Sequence, residues 1–215
     1  MAHLDEAGFA PTLPTCYSWF PVGERLRVPY EAPQERRVNA VGAFFSHGPQ
    51  AGGFLFETYA AVPKSRAKKP RRSLVQIAAQ HGLMVAEVGV LEAGRFLTFV
   101  WKVAGRPALF AHGWRRQRPL VIVLDNYSVH RSQQVQDALP ELKAAGVYLL
   151  YLPSSCPELS RIESIWHVVK HHGMTRRSYA VLGDLKRAVD AALQRKAHDL
   201  LAAHSKSEPL LQRAA

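Results

Sequence analysis

Three acids in this chain sit where a carboxylate is out of place unless it does something. Asp125 closes the apolar run LVIVL and is followed by Asn126, Tyr127, Ser128 and His130 in LDNYSVH. Glu163 lies in a helix-forming stretch beyond the next apolar run, and Asp5 lies in AHLDEAGF near the start. Burying an unpaired carboxylate is unfavourable. An acid at the carboxyl end of a central parallel strand faces the crevice where open α/β sheets bind ligands. The stretch between Asp125 and Glu163 has room for one helix, one strand and a loop, so both acids can reach the same end of a sheet. Convergent carboxylates suit a hard divalent cation. Mg²⁺ takes oxygen ligands and bridges phosphate oxygens, and a pair of such ions activates water and steadies the leaving oxygen at a phosphodiester. Taken singly, each acid has a plain structural alternative. Asp125 could cap a turn through backbone N–H groups, Glu163 could be a solvated helix position, and Asp5 could belong to a turn. The chemical reading rests on the three together.

The elements that would position them follow from periodicity. Residues 1–60 read as β-rich: 17–30 carries a Pro-Val-Gly turn at 21–23, 36–48 ends at Ser-His-Gly-Pro, and 53–62 pairs back as a hairpin. PKSRAKKPRR (63–72) is an exposed basic loop, because its prolines and charges exclude a helix. A short helix is expected over 73–82, with Ser73 as N-cap and Gly82 past its end. In 92–105, Phe96, Phe99, Val100 and Val103 share one helix face. A second basic loop covers 114–119. Residues 120–125 and 147–153 read as strands buried on both faces. The helix between them, 132–146, should bend or break at Pro140. A helix is expected over 157–173 and a last amphipathic one over 184–204. The class is α/β, a mixed sheet flanked by helices in one domain over 1–204, with 205–215 a disordered tail. Only four residues precede Asp5, so a clipped first strand is expected.

Charge narrows the partner. Lys and Arg number 28 against 17 acids, a formal net charge of +11. Such an excess marks a polyanionic partner, most often nucleic acid. Candidate phosphate contacts are Lys64, Arg66, Lys68, Lys69, Arg71 and Arg72 in the first basic loop and Arg115 and Arg116 in the second. Lys170, Arg176 and Arg177 follow the Glu163 helix. All could rim one groove, and each is equally compatible with a solvated loop. No uncharged apolar run is long enough to span a membrane, and the N-terminus lacks the pattern of a signal peptide. Cys16 and Cys156 are too few for a disulfide framework and lack metal-ligand spacing, so a reducing, cytoplasmic setting is the default. His171–His172 has no partner pair at zinc spacing. Cys156 reads as a packed thiol.

The segments LDEAGF, VLDNYSVH and LPSSCPELSRIESIWHVVK together resemble the three catalytic blocks of DDE transposases, nearest the bacterial insertion-sequence branch of the mariner superfamily. The resemblance covers about residues 1–200. It implies a five-stranded mixed sheet similar to RNase H, with Asp5, Asp125 and Glu163 as the catalytic, metal-binding triad for Mg²⁺ or Mn²⁺, two ions. Asn126 would support the loop or the metal shell, and His130 would touch the scissile phosphate or cap a helix. Trp166 reads as core packing. The implied activity is cleavage and strand transfer of DNA, with transposon ends and target as partners, a homodimer left open as the assembly, and a bacterial cytoplasm as the setting, at the nucleoid when bound to DNA. Two rivals stand beside it: an inactive remnant that binds DNA non-specifically, and a general nuclease of the same fold. Many relatives carry Ser, Asn and Pro where Cys156, Ser160 and Arg161 stand. Helix-turn-helix modules normally precede this domain and are not expected here.

Overall fold

The pairing of β1 (Ala2–Phe9) sets the geometry of the molecule. On one side it runs antiparallel to β2 (Val38–Phe45), with Asp5 opposite Gly42. On the other it runs parallel to β5 (Leu120–Leu124), with Ala2 opposite Ile122 and His3 opposite Val123. Continuing that register brings Asp5 level with Asp125, the residue that follows β5. The computed structural model describes residues 1–13, 21–24, 37–61, 73–107, 113–153, 156–175 and 178–212. Most of the 17–30 stretch, all of the basic loop 63–72, Cys16, Arg176 and Arg177 lie outside the described residues.

β3 (Phe54–Ala61) returns antiparallel to β2 as the expected hairpin. β6 (Val147–Tyr151) adds parallel to β5. The sheet order is β4-β3-β2-β1-β5-β6. The sixth strand, beyond the five expected, is β4 (Val88–Gly89), two residues on the outer edge of β3. Strand alternation divides the apolar side chains between two faces. Ala2, Leu4, Ile122 and Leu124 pack on α2 (Ala93–Ala104) and α3 (Gln133–Ala144), where Phe96, Phe99, Val100, Val103, Val135 and Leu142 are fully buried. Ala7, Phe9, Val38 and Ala40 pack on α4 (Arg161–Val168) and α5 (Leu182–Gln212) through Ile162, Trp166, Leu185 and Leu193. α1 (Leu74–His81) is capped as its sequence predicts. Ser73 and Gln76 form a capping box, and Gly82 takes the left-handed conformation at φ 63°.

Several expectations need correction. α3 runs through Pro140 without a break. The exposed ring forfeits one hydrogen bond, while Val135 and Leu142 anchor both halves of the helix in the core. β6 is not buried on both faces, because it is the last strand of the sheet and Tyr148 and Leu150 are exposed. The single helix expected over 157–173 is three pieces: a 3₁₀ turn Pro157–Leu159, then α4, then a π-turn Val169–Gly173. The break at Ser160 puts Glu163 in the first turn of α4. α5 continues past His204 to Gln212, into the stretch read as tail.

Gly42 has a specific task. A Cβ there would lie 2.7 Å from Cη2 of Trp166 and 2.9 Å from Cε2 of Phe54. Only a bare backbone leaves room for the indole over β2 as it reaches Asp5 on β1. Gly42→Ala is expected to cost about 1–3 kcal/mol by overpacking, measured by chemical denaturation, and to alter the near-UV circular dichroism of the tryptophans. An unchanged denaturation midpoint would show that the indole is not confined there.

Candidate active site

Asp5, Asp125 and Glu163 line one cavity of about 330 Å³, together with Leu4, Asn126, Tyr127, Leu152, Pro153, Cys156 and Ser160. Three separate elements deliver the acids: the middle of β1, the tip of β5 and the first turn of α4. Glu163 and Asp125 are exposed, and Asp5 is half-buried. Asp5 shares its face of the sheet with Ala7 and Phe9, so it turns toward α4. There Trp166 Nε1 donates to its Oδ2 at 3.1 Å. The tryptophan read as core packing is buried and is also a hydrogen-bond donor to this acid.

The electrostatics of Asp5 show how the group behaves. Burial pushes its carboxyl up, the Glu6 backbone N–H pulls it down, and the charges of Glu6, Glu163 and Asp125 push it up again, to about 7. A half-buried carboxyl raised by burial and by three neighbouring acids marks a site short of positive charge. An all-oxygen set of this kind fits Mg²⁺ or Mn²⁺. Asp5, Asp125 and Glu163 are the residues that would hold such ions. Cys156, half-buried in the cavity wall, is the one soft donor near them.

Asn126 secures the loop that carries Asp125. Its Nδ2 donates to the Leu152 carbonyl just past β6, and its Oδ1 accepts from Arg131 Nη1 at 3.1 Å. The Tyr127 N–H donates to Asp125 Oδ1 at 2.9 Å. His130 was expected at a phosphate or a helix cap, and the structure buries it completely. Its Nε2 lies 2.8 Å from Glu6 Oε1 and its Nδ1 lies 3.0 Å from Asp125 Oδ1. Its ring packs on Phe96, with centroids 4.5 Å apart. Burial disfavours charge on the imidazole, but the Glu6 hydrogen bond and charge, joined by Asp125, outweigh it and raise its pKa. Ser132, not His130, occupies the N-cap of α3.

Glu6 is the residue that sequence reasoning missed. Among the described residues, Glu6, Asp125 and His130 are the set of three ligand-type side chains whose donor atoms all fall within 4.8 Å of one another. The Asp5, Asp125 and Glu163 set is more open. The available signal was the strand period. Asp5 and Glu6 are consecutive in a strand covered on both faces, so one acid must enter each layer.

The basic residues divide. Lys170, in the π-turn, is half-buried with its Nζ 5.6 Å from the Phe9 ring centroid. Burial lowers its pKa while Glu163 and Asp5 hold it up, which puts it beside the acids. Arg115 and Arg116 do not rim the same groove. They precede β5, at the opposite end of a five-residue strand from Asp125, roughly 17 Å away at the usual rise. Arg116 is committed to structure: its Nη1 donates to the Ala104 carbonyl at the end of α2, and its Nε donates to the Arg118 carbonyl at 3.0 Å. Lys64, Arg66, Lys68, Lys69, Arg71, Arg72, Arg176 and Arg177 lie outside the described residues. No helix among the described residues is long and apolar enough to cross a membrane.

This fold agrees with what comparison with known proteins finds. A family model described as DDE superfamily endonuclease matches residues 79–186, half of the chain. The chain belongs to the DDE superfamily of endonucleases. Among solved structures, the Mos1 mariner paired end complex with Mn aligns at a TM-score of 0.51 and 13% identity, over 96% of this chain and 54% of that one. The Mos1 strand transfer complex aligns at 0.50 and 12%, over 93% of this chain and 50% of that one. The likeness is one of fold, an RNase H-like mixed sheet flanked by helices, and the chain spans about half the length of these relatives. Comparison with curated proteins found no match.

The raised pKa of Asp5 has a stability consequence. A carboxyl with a folded-state pKa of about 7 against 3.8 unfolded favours the fold fully below about pH 4, and that contribution is lost as the pH rises through about 7. In EDTA, Asp5→Asn, which stays neutral, should therefore melt above the unaltered protein at pH 8, with the gap narrower at pH 5. Mn²⁺ at pH 8 should raise the melting temperature of the unaltered protein and not that of Asp5→Asn. Thermal scans at the two pH values check this, and identical melting curves at pH 8 would contradict it.

Proposed function

We propose that this chain is the catalytic domain of a transposase of the bacterial insertion-sequence, mariner-like kind, cutting DNA phosphodiesters and joining the freed 3′-hydroxyl to target DNA. The observation that carries the reading is the meeting of Asp5, Asp125 and Glu163, from mid-β1, the tip of β5 and the first turn of α4, in one cavity, in a chain of net charge +11. Membership of the endonuclease family supports the cleavage half. The strand-transfer half draws on fold likeness to a mariner transposase captured in a strand transfer complex. The likeness to a paired end complex favours two copies of the chain acting together on DNA ends.

Two divalent ions, Mg²⁺ or Mn²⁺, would supply an activated water or 3′-hydroxyl and stabilise the departing oxygen. The protein contributes placement. Asp5 and Asp125 stand level on paired strands, and Glu163 reaches them from the helix laid across that face. Trp166 keeps one oxygen of Asp5 engaged. Lys170, desolvated near Asp5 and Glu163, would meet a DNA backbone phosphate. No side chain is needed as a nucleophile, which leaves Cys156 as part of the wall.

Supercoiled plasmid incubated with the protein and Mn²⁺ should be nicked, and Asp125→Asn or Glu163→Gln should each abolish nicking while leaving salt-dependent DNA binding in place. A pre-cut transposon end should be joined to a target duplex. Nicking that survives Asp125→Asn would reject the assignment of the site. Nicking without any joined product would reduce the protein to a nuclease of this fold.

A further inference from the structure

We propose that Glu6 and His130 form a buried brace that orients Asp125 from the layer of the sheet opposite the cavity, making His130 a positioning residue for that carboxylate. The proposal rests on the reading of Asp125 as a metal-holding acid.

Strand alternation sends Asp5 toward α4 and Glu6 toward α2 and α3. Glu6 Oε1 meets Nε2 of His130 at 2.8 Å, in the layer where the imidazole packs on Phe96. The chain after β5 folds back to deliver this ring, through a turn in which the His130 N–H donates to the Tyr127 carbonyl at 3.0 Å. Nδ1 then lies 3.0 Å from Asp125 Oδ1 and 3.3 Å from the carbonyl oxygen of the same residue. The Tyr151 hydroxyl donates to the His130 carbonyl at 2.9 Å, so the turn is tied to β6 as well.

The consequence lies in how Asp125 is held. Its side chain is 56% exposed and by itself would be free to turn. Instead Oδ1 accepts from the Tyr127 N–H, and the imidazole Nδ1, hydrogen-bonded to the Asp125 carbonyl, stands beside Oδ1 as an ion-pair contact. Among the described residues Oδ2 accepts no hydrogen bond, so it stays open to the cavity. A fully buried ring held on its far side by a carboxylate cannot rotate, so the contact to Asp125 is stiff.

The same three side chains resemble a metal site of their own, since their donor atoms cluster within 4.8 Å. The ring geometry argues against it. Glu6 and Asp125 approach opposite nitrogens of one imidazole, and the two nitrogen lone pairs diverge, so one ion cannot be held by both. What they describe is a carboxylate–histidine–carboxylate chain ending on a ligand. Outer-shell partners of this kind typically matter about 10–100-fold in metal affinity or activity.

The test uses the full chain and Mn²⁺ as probe, with affinity read by electron paramagnetic resonance, DNA affinity by anisotropy, and nicking at saturating Mn²⁺. Glu6→Leu removes the acceptor for Nε2, and His130→Gln can reach only one of the two carboxylates. Both should weaken Mn²⁺ binding about 10–100-fold and slow nicking while DNA affinity stays unchanged. Glu6→Gln, which keeps an acceptor oxygen at the same reach, should restore most of the Mn²⁺ affinity. If Glu6→Leu does not fold, the comparison of His130→Gln with Glu6→Gln carries the test. Unchanged Mn²⁺ affinity in His130→Gln, in a protein whose Mn²⁺ binding is lost in Asp125→Asn, overturns the brace and leaves the triad standing. Mn²⁺ binding that is indifferent to Asp125→Asn overturns the triad itself. Zn²⁺ binding that is lost in His130→Gln yet kept in Asp5→Asn would make the trio a ligand set and also overturn the brace.

Discussion

Parallel pairing of β1 with β5 sets Asp5 and Asp125 level with each other on neighbouring chain segments, whose backbones lie about one strand spacing apart, and much of the architecture answers that constraint. Like charges at such range resist ionisation together. The resistance is visible at Asp5, whose carboxyl is pushed to about 7 by burial and by Glu6, Glu163 and Asp125. A fold with no use for that repulsion would separate the acids. Here the third carboxylate, Glu163, is brought in as well, by a helix that begins only after the chain has broken at Ser160.

The two layers of the sheet handle their acids differently. On the α4 side, Trp166 reaches Asp5 across a strand cleared by Gly42. On the α2 and α3 side, half-buried Glu6 holds the fully buried His130. Asp125 stands at the boundary, its carboxylate open to the cavity and its first oxygen held from below. Asn126 fixes the loop between them by bonding to the residue after β6. The acids are therefore set by backbone pairing and by a short list of directed hydrogen bonds, with the apolar clusters holding the layers in place.

The central strands, the hairpin and the helix faces were legible in the sequence because each is written in a simple period. The run Leu120–Leu124 and the spacing of Phe96, Phe99, Val100 and Val103 translate directly into burial. The acids Asp5, Asp125 and Glu163 stood out for the same reason, as polar residues interrupting apolar patterns. What escaped was set by position within the whole. β6 reads as a buried strand because nothing local says it is the last one. Pro140 reads as a break because local propensity cannot see Val135 and Leu142 pinned on either side. Glu6 escaped because its partner is 124 residues away, and an acid beside an acid looks like one feature until the strand separates them. The basic residues before β5 were assigned to a groove by sequence proximity to Asp125. Five residues of extended chain carry them to the other end of the sheet.

The account turns on one claim, that the acids at positions 5, 125 and 163 converge to hold divalent ions. Crystals of the protein grown with Mn²⁺ and measured at the manganese absorption edge test it most directly. The account predicts anomalous density in the cavity between Asp5, Asp125 and Glu163, within bonding distance of Oδ2 of Asp125. Manganese held at Glu6 and His130 instead, or an empty cavity at saturating Mn²⁺, would contradict it.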